Sequence, residues 1–186
     1  MHWLYPAIML VQKGKAKKET RVNKDTRPAA PFHALSLTLN NGKEFSFENL
    51  KGKKVMIVNT ASNCGFTGQY EELQRLYQHR KEDLEIIAVP ANDFAAQESG
   101  SDADINQFCQ VNFGVRFPLA KKAVVVKSEG QHPVFRWLSD PSQNGWNNQP
   151  PTWNFSKYLI NEEGVLTHYF PPAVSPVSEE VLQAIG

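Results

Sequence analysis

Two cysteines, Cys64 and Cys109, are the only thiols in this 186-residue chain. Cys64 stands in the stretch VNTASNCGFTGQY (58–70), where an apolar run ends, small polar residues follow, and a helical pattern begins. A cysteine at such a junction faces unpaired backbone N–H groups and the positive end of a helix dipole. That setting lowers a thiol pKa from its ordinary value of about 8.5. The shift matters because the thiolate is the nucleophile, and an unshifted thiol is mostly protonated at neutral pH. Gly65 has no side chain to block an approaching substrate. The position suits a reactive thiol, and it equally suits a small buried hydrophobe, a role cysteine often takes. No Cys-x-x-Cys pair is present, and two cysteines are too few for a disulfide-rich secreted scaffold. The five histidines (His2, His33, His79, His132, His168) are scattered, read as surface or packing residues, and form no cluster of metal-binding spacing.

The elements that must position Cys64 are legible as patterns. KKVMIVNT before it and LEIIAVP after it are continuous apolar runs of strand type. Between them Tyr70, Leu73, Leu76 and Tyr77 fall on one helical face. Two apolar strands around a helix imply parallel pairing with helices covering both faces. Upstream, FHALSLTLNNGKEFSF alternates on either side of Asn40-Asn41-Gly42, a hairpin signal. Downstream, SDADINQFCQVNF opens with Ser101 as an N-cap and Asp104 three residues on, and it places Ile105, Phe108 and Cys109 on one face. AVVV (123–126) is expected as a further strand and HPVFRWLS as a short helix. WNFSKYLINEEGVLTHYF reads as two strands about Glu163-Gly164, and SEEVLQAIG as a closing helix. The Pro/Asn/Gly-rich segment 140–152 reads as a loop.

Length and a hydrophobic content of 41% suit one folded domain. The net charge of +1 gives no reason to expect a nucleic-acid partner. That average conceals a basic start: residues 1–27 carry seven basic and two acidic side chains, leaving the remainder at −4. The N-terminus puts an apolar run (Trp3–Val11) before the lysines, the reverse of a secretory signal. The run is well short of the ~20 residues of a membrane span. Residues 1–30 are expected to be a basic extension, flexible or surface-associated, with weak membrane-surface contact through residues 3–18 as one reading. The folded domain is expected over 31–186.

Three segments resemble the glutathione peroxidase family in its cysteine form. They are VNTASNCGFTGQYEELQRLY, PANDFAAQESGSDADINQFCQVNFGVRFPL and WNFSKYLINEEG, in the family's order and at compatible distances. The resemblance covers the chain from Phe32 onward. It implies an α/β thioredoxin-like fold, with a central mixed β-sheet flanked by helices on both faces and an N-terminal β-hairpin. Thr67 stands where a thioredoxin has its second cysteine. By the resemblance Cys64 is the peroxidatic cysteine, and Gln97, Trp153 and Asn154 complete the catalytic tetrad. Trp146-Asn147 is a second Trp-Asn pair, but only Trp153-Asn154 is followed by the aromatic and the KYLI strand; Trp146 reads as a loop residue that could rim the site.

The residue types suit the chemistry. A thiolate cleaves a peroxide by attacking one oxygen, and it needs donors that do not compete as bases. The Trp153 indole N–H and the Gln97 and Asn154 amides supply uncharged donors that can hold sulfur and peroxide in line. The product is a sulfenic acid on Cys64. Cys109 matches the resolving cysteine of the thioredoxin-dependent members, which would form an intramolecular disulfide for thioredoxin to reduce. Its place on an apolar helical face requires that helix to open locally. The implied activity is reduction of hydrogen peroxide and organic or lipid hydroperoxides without a bound cofactor, with thioredoxin rather than glutathione as reductant. Alternatives are a peroxide sensor passing its disulfide to a partner protein, and a binding module with a structural disulfide. The family's PCNQF is here PANDF, so Ala91 removes a third thiol, and Asp93, if close, would raise the Cys64 pKa. Ser99 replaces a proline. The short 140–152 connection implies a monomer. A cytoplasmic location is expected, with periplasmic or membrane-associated placement as alternatives.

Overall fold

The computed structural model describes residues 19–186, so the membrane-surface expectation for residues 3–18 lies outside the described residues. Among the described residues seven strands and five α-helices follow one another: β1 (Arg21–Val22), β2 (Ser36–Thr38), β3 (Glu44–Ser46), β4 (Lys54–Thr60), α1 (Gln69–Arg80), β5 (Leu84–Pro90), α2 (Asp102–Phe113), α3 (Pro133–Leu138), α4 (Pro141–Asn144), β6 (Lys157–Ile160), β7 (Leu166–Phe170) and α5 (Glu179–Ile185), with 3-10 turns at Phe32–Ala34 and Phe47–Leu50. Five strands form one mixed sheet in the order β1-β7-β6-β4-β5, and β2 and β3 form the expected hairpin. Among the described residues no helix is long and apolar enough to cross a membrane.

The apolar runs of β4 and β5 become strands buried on both faces. Their side chains alternate between two cores. Val55 and Ile57 of β4 and Ile87 and Val89 of β5 join Tyr158, Ile160 and helix α3 on one side. Met56 and Val58, Ile86 and Ala88 join Leu159 and helices α1, α2 and α5 on the other. Helices therefore cover both faces, as the residue pattern requires. Tyr70, Leu73, Ile105, Val134 and Phe135 are at most 2% exposed, and each such side chain contributes roughly 1.5–3 kcal/mol by leaving water. Helix α2 begins with the expected capping box between Ser101 and Asp104, and ends at Gly114 in the left-handed region (φ 61°).

Strand register brings three loops to one end of the sheet. β4 and β5 run parallel, with Thr60 opposite Pro90, so their following loops leave side by side. β6 runs antiparallel to β4 with Lys157 opposite Val58, so the chain just before β6 arrives at that same end. Segments 61–68, 91–98 and 152–156 therefore meet beyond the carboxyl ends of β4 and β5, where open α/β sheets bind ligands.

Three expectations change. The domain does not start at Pro31, because Arg21 and Val22 pair antiparallel with Tyr169 and His168. The Arg21 guanidinium also donates to Asn147 and Asn148 (3.1 and 2.9 Å) and lies over Trp146. AVVV is not a strand: the Val125 N–H is taken by the Asp93 carboxylate (2.7 Å) and its carbonyl by Gln131 (3.0 Å), so both leave the ladder. The free edge of β5 instead meets Leu119 in an isolated bridge. The 140–152 loop contains the short helix α4.

Candidate active site

Cys64 follows β4 within a succession of tight turns. The N–H groups of Thr67, Gln69, Tyr70 and Glu71 each donate to the carbonyl three residues back. Thr67 fixes the turn: its hydroxyl accepts from the Cys64 N–H (3.0 Å) and donates to the Ala61 carbonyl (2.8 Å). The residue that replaces a second cysteine thus holds the first in place. Phe66 N–H points at the Cys64 sulfur at 3.4 Å. Because α1 starts only at Gln69, Cys64 does not lie in its first turn. Burial pushes the thiol above its ordinary value, and this outweighs four opposing groups: Phe66 N–H, the Asn154 and Trp153 side chains, and Gly65 N–H. The lowered pKa expected from position is not realised, because a half-buried sulfur loses more hydration than these donors return.

Gln97 and Asn154 are joined directly, the Asn154 amide donating to Gln97 Oε1 at 2.9 Å. Asn154 is fully buried, and its Oδ1 has no protein partner. The Trp153 ring packs on Phe94 with centroids 5.3 Å apart. Backbone strain brackets the amide pair. Ala95 and Ala96 (φ 52° and 49°) precede Gln97, and Phe155 (φ 66°) follows Asn154. A non-glycine residue in this region costs about 1–2 kcal/mol, and survives only where surrounding bonds impose it. Around Phe155 those bonds centre on Asn59, a fully buried polar residue in the apolar run of β4. Its side chain donates to the Trp153 carbonyl (3.0 Å) and accepts from Ser156 N–H (3.1 Å), while its own carbonyl accepts from Phe155 N–H (2.6 Å). No motif marks Asn59; its signal in the sequence is an asparagine interrupting an otherwise apolar strand.

Cys64, Gln97, Trp153 and Asn154 therefore come together, while Cys109 does not join them. Cys109 is fully buried in α2 among the core residues against which Cys64 packs, and both cysteines are free. Burial holds the Cys109 thiol up at about 11, opposed by the Tyr70 hydroxyl and reinforced by Glu98. Glu98 is itself 1% exposed and takes the Ser62 hydroxyl at 3.1 Å. Asp93, occupied by Val125 N–H, is not among the groups acting on Cys64. Trp146 does not rim the site: its indole N–H donates to the Leu166 carbonyl (2.8 Å), and its ring packs against the core on the α3 side of the sheet. Asn147 spans to the Leu138 and Gln149 carbonyls, so the second Trp-Asn pair is scaffolding. A surface cleft of about 390 Å³, lined by Val22, Arg27, Glu163 and His168 among others, shares no residue with the Cys64 site.

Comparison with known proteins agrees with this geometry. Residues 32–139 match the family model "Glutathione peroxidase". A glutathione peroxidase-like peroxiredoxin of Saccharomyces cerevisiae is 39% identical, over 83% of this chain and 98% of its own length. The glutathione peroxidase homolog BsaA of Staphylococcus epidermidis is 44% identical, over 74% of this chain and 86% of its own. Among solved structures, Trgpx in apo form superposes with a TM-score of 0.64 at 28% identity, covering 84% of this chain and 96% of that one. A thiol:disulfide interchange protein of the thioredoxin family from Chlorobium tepidum, 18% identical with a TM-score of 0.56 over 88% of this chain and 99% of that one, shares the fold alone. With the thioredoxin-like architecture, the turn that presents Cys64 and the family match in hand, this chain belongs to the glutathione peroxidase family.

Proposed function

We propose that the chain is a thiol peroxidase that reduces hydrogen peroxide and organic or lipid hydroperoxides at Cys64. The observation that carries this reading is the convergence of the Trp153 and Asn154 side chains on the Cys64 sulfur, with Gln97 tied to Asn154. In the reaction the Cys64 thiolate attacks one peroxide oxygen. An S–O bond forms as the O–O bond breaks, sulfur loses two electrons, and the departing alkoxide or hydroxide takes up a proton. Trp153 and Asn154 oppose the burial that favours the neutral thiol, and their uncharged N–H groups hold sulfur and peroxide without competing as bases.

The sulfenic acid is then resolved by Cys109, whose sulfur attacks Cys64 and releases water, and thioredoxin reduces the disulfide by exchange. Resolution requires the Cα atoms to come within about 7 Å, so the C-terminal part of α2 must open. The complete burial of Cys109 also favours a second reading, in which the sulfenic acid outlives the encounter and is captured by a partner protein's thiol. Mass spectrometry after one equivalent of hydrogen peroxide tests the cycle. Rapid loss of about 2 Da, for two hydrogens leaving as the disulfide forms, supports it when Cys64→Ser and Cys109→Ser both abolish the bridge. A wild-type chain that stays at the sulfenic acid until a client thiol is added would favour the relay. Oxidation no faster than that of a free thiol would refute both.

A further inference from the structure

The strand after the Trp153–Asn154 turn opens on a lysine whose surroundings are unusual for a cation. Lys157 is 0% exposed. Its ammonium donates to three neutral oxygens: Gln69 Oε1 at 2.9 Å, the Phe155 carbonyl at 2.7 Å and the Pro172 carbonyl at 3.4 Å. Gln69 closes the cluster by donating to the Pro172 carbonyl at 2.7 Å. Among the described residues no carboxylate makes an ion pair with it. Burying an ammonium without a counter-ion is costly, and an apolar side chain would fill the position more cheaply were packing all it supplied.

The three oxygens belong to separate segments. Gln69 is the first residue of α1, into which the Cys64 turn runs. Phe155 directly follows Asn154 and holds the strained left-handed conformation. Pro172 lies just past the end of β7. We propose that Lys157 is a positioning residue for the peroxide reaction: its buried ammonium ties the carbonyl beyond Asn154 to the start of α1 and to Pro172, and so fixes the Trp153 and Asn154 donors over Cys64. This inference rests on the peroxidase reading above. Lys157 touches no reacting atom; it acts through the Phe155 carbonyl.

The tie is titratable. Burial holds the Lys157 amine down at about 7, with Glu72 of α1 and Glu180 of α5 opposing that shift. Both carboxylates are otherwise engaged, Glu72 by the Ser175 hydroxyl and Glu180 by the Thr20 hydroxyl. β4 and β7 present Val58 and Phe170 beside it in register, neither of them titratable. As pH rises through neutrality the amine loses a donor and its charge, and the tie weakens.

The test measures the second-order rate of Cys64 oxidation by hydrogen peroxide in single turnover between pH 6 and 9. At each pH the rate is divided by the thiolate fraction read from ultraviolet absorbance; Cys109 stays protonated over this range. The wild-type rate per thiolate is expected to fall about tenfold, equivalent to about 1.4 kcal/mol, with a midpoint near 7. Lys157→Met should be flat with pH and about tenfold slower than wild type at pH 6. Gln69→Glu, which sets a carboxylate against the ammonium, should move the midpoint upward by more than one pH unit. A Lys157→Met chain that keeps the wild-type rate within twofold, or keeps the step, overturns the proposal. Should that variant fail to fold, an unmoved midpoint in Gln69→Glu overturns it equally. A flat wild-type profile with fast oxidation defeats this inference alone, whereas a Cys64 indifferent to peroxide defeats the peroxidase reading beneath it as well.

Discussion

Replacing Asn59 by leucine separates the scaffold of the site from its chemistry. The two side chains have the same number of heavy atoms and the same branching, so the change removes the hydrogen bonds while leaving a side chain of like shape, if bulkier, in place. The Ser156 N–H loses its 3.1 Å partner, and the Trp153 carbonyl loses the amide at 3.0 Å while keeping the Ser156 hydroxyl at 3.1 Å. An unmet buried donor costs about 1–3 kcal/mol, and a lost bond with a remaining partner about 1. The expected loss is therefore about 2–4 kcal/mol, read as a lower urea midpoint at unchanged slope. That is a large share of a typical 5–15 kcal/mol, yet leaves the chain folded. Phe155 is left-handed because Asn59 holds the backbone on either side of it; leucine keeps only the main-chain bond from Phe155 N–H, so Phe155 relaxes toward negative φ and carries Asn154 with it. A displacement of about 1 Å at such a site costs on the order of 100-fold in rate. Single-turnover oxidation of Cys64 by hydrogen peroxide should slow by 10- to 100-fold. Stability lost as expected with oxidation still within twofold of wild type would refute the clamp, leaving Phe94 stacking and the Gln97 bond to set the geometry.

Other outcomes follow from the same contacts. Asp93→Asn should leave the Cys64 ionisation unmoved, because Asp93 is spent on the Val125 N–H; iodoacetamide alkylation followed against pH checks this, and a shift of more than half a unit would restore Asp93 as a neighbour of the thiol. In the wild type that alkylation should still be rising above pH 8.5, since burial raises the Cys64 pKa. Lys157, near 10.4 when unfolded and about 7 when folded, binds fewer protons in the native state between those values. Its contribution to stability therefore rises with pH, by about 2 kcal/mol from pH 6.5 to 8.5, and denaturation of Lys157→Met should lack that rise. Cys109 has the opposite sign: its folded pKa of about 11 is raised, so its contribution is complete below about 8.5 and is lost toward pH 11, an effect Cys109→Ser should abolish.

The strands were legible because an apolar run long enough to be buried on both faces leaves little choice of structure. The same logic misread AVVV: an apolar run reports burial, not pairing, and Val125 is buried with its backbone taken by Asp93 and Gln131. Strand β1 escaped notice since two residues, one of them the exposed Val22, carry no periodicity. The tetrad was legible only through its motifs. Nothing local links Gln97 to Asn154; their contact is set by the registers Thr60–Pro90 and Val58–Lys157, long-range properties of the sheet. The Cys64 ionisation was misjudged because position in sequence reports the nearby dipole but not the water that packing removes. Asn59 and Lys157 were visible as polar letters in strand runs, yet their partners lie in segments far along the chain.

Helix α2 is capped at both ends, and its C-terminal cap takes the carbonyl of Cys109 itself, through Gly114 and Val115 N–H groups. In the proposed cycle this makes the protein a two-speed device. Oxidation of Cys64 quickens with peroxide concentration, whereas release of Cys109 proceeds at the fixed pace of a helix end coming undone. At low flux the second step keeps up and the chain cycles. Once peroxide arrives faster than the helix opens, the sulfenic acid waits, meets a second peroxide and passes to the sulfinic acid, from which thiols do not return it. In that proposed cycle the cap that stabilises α2 would set the dose at which the protein switches itself off.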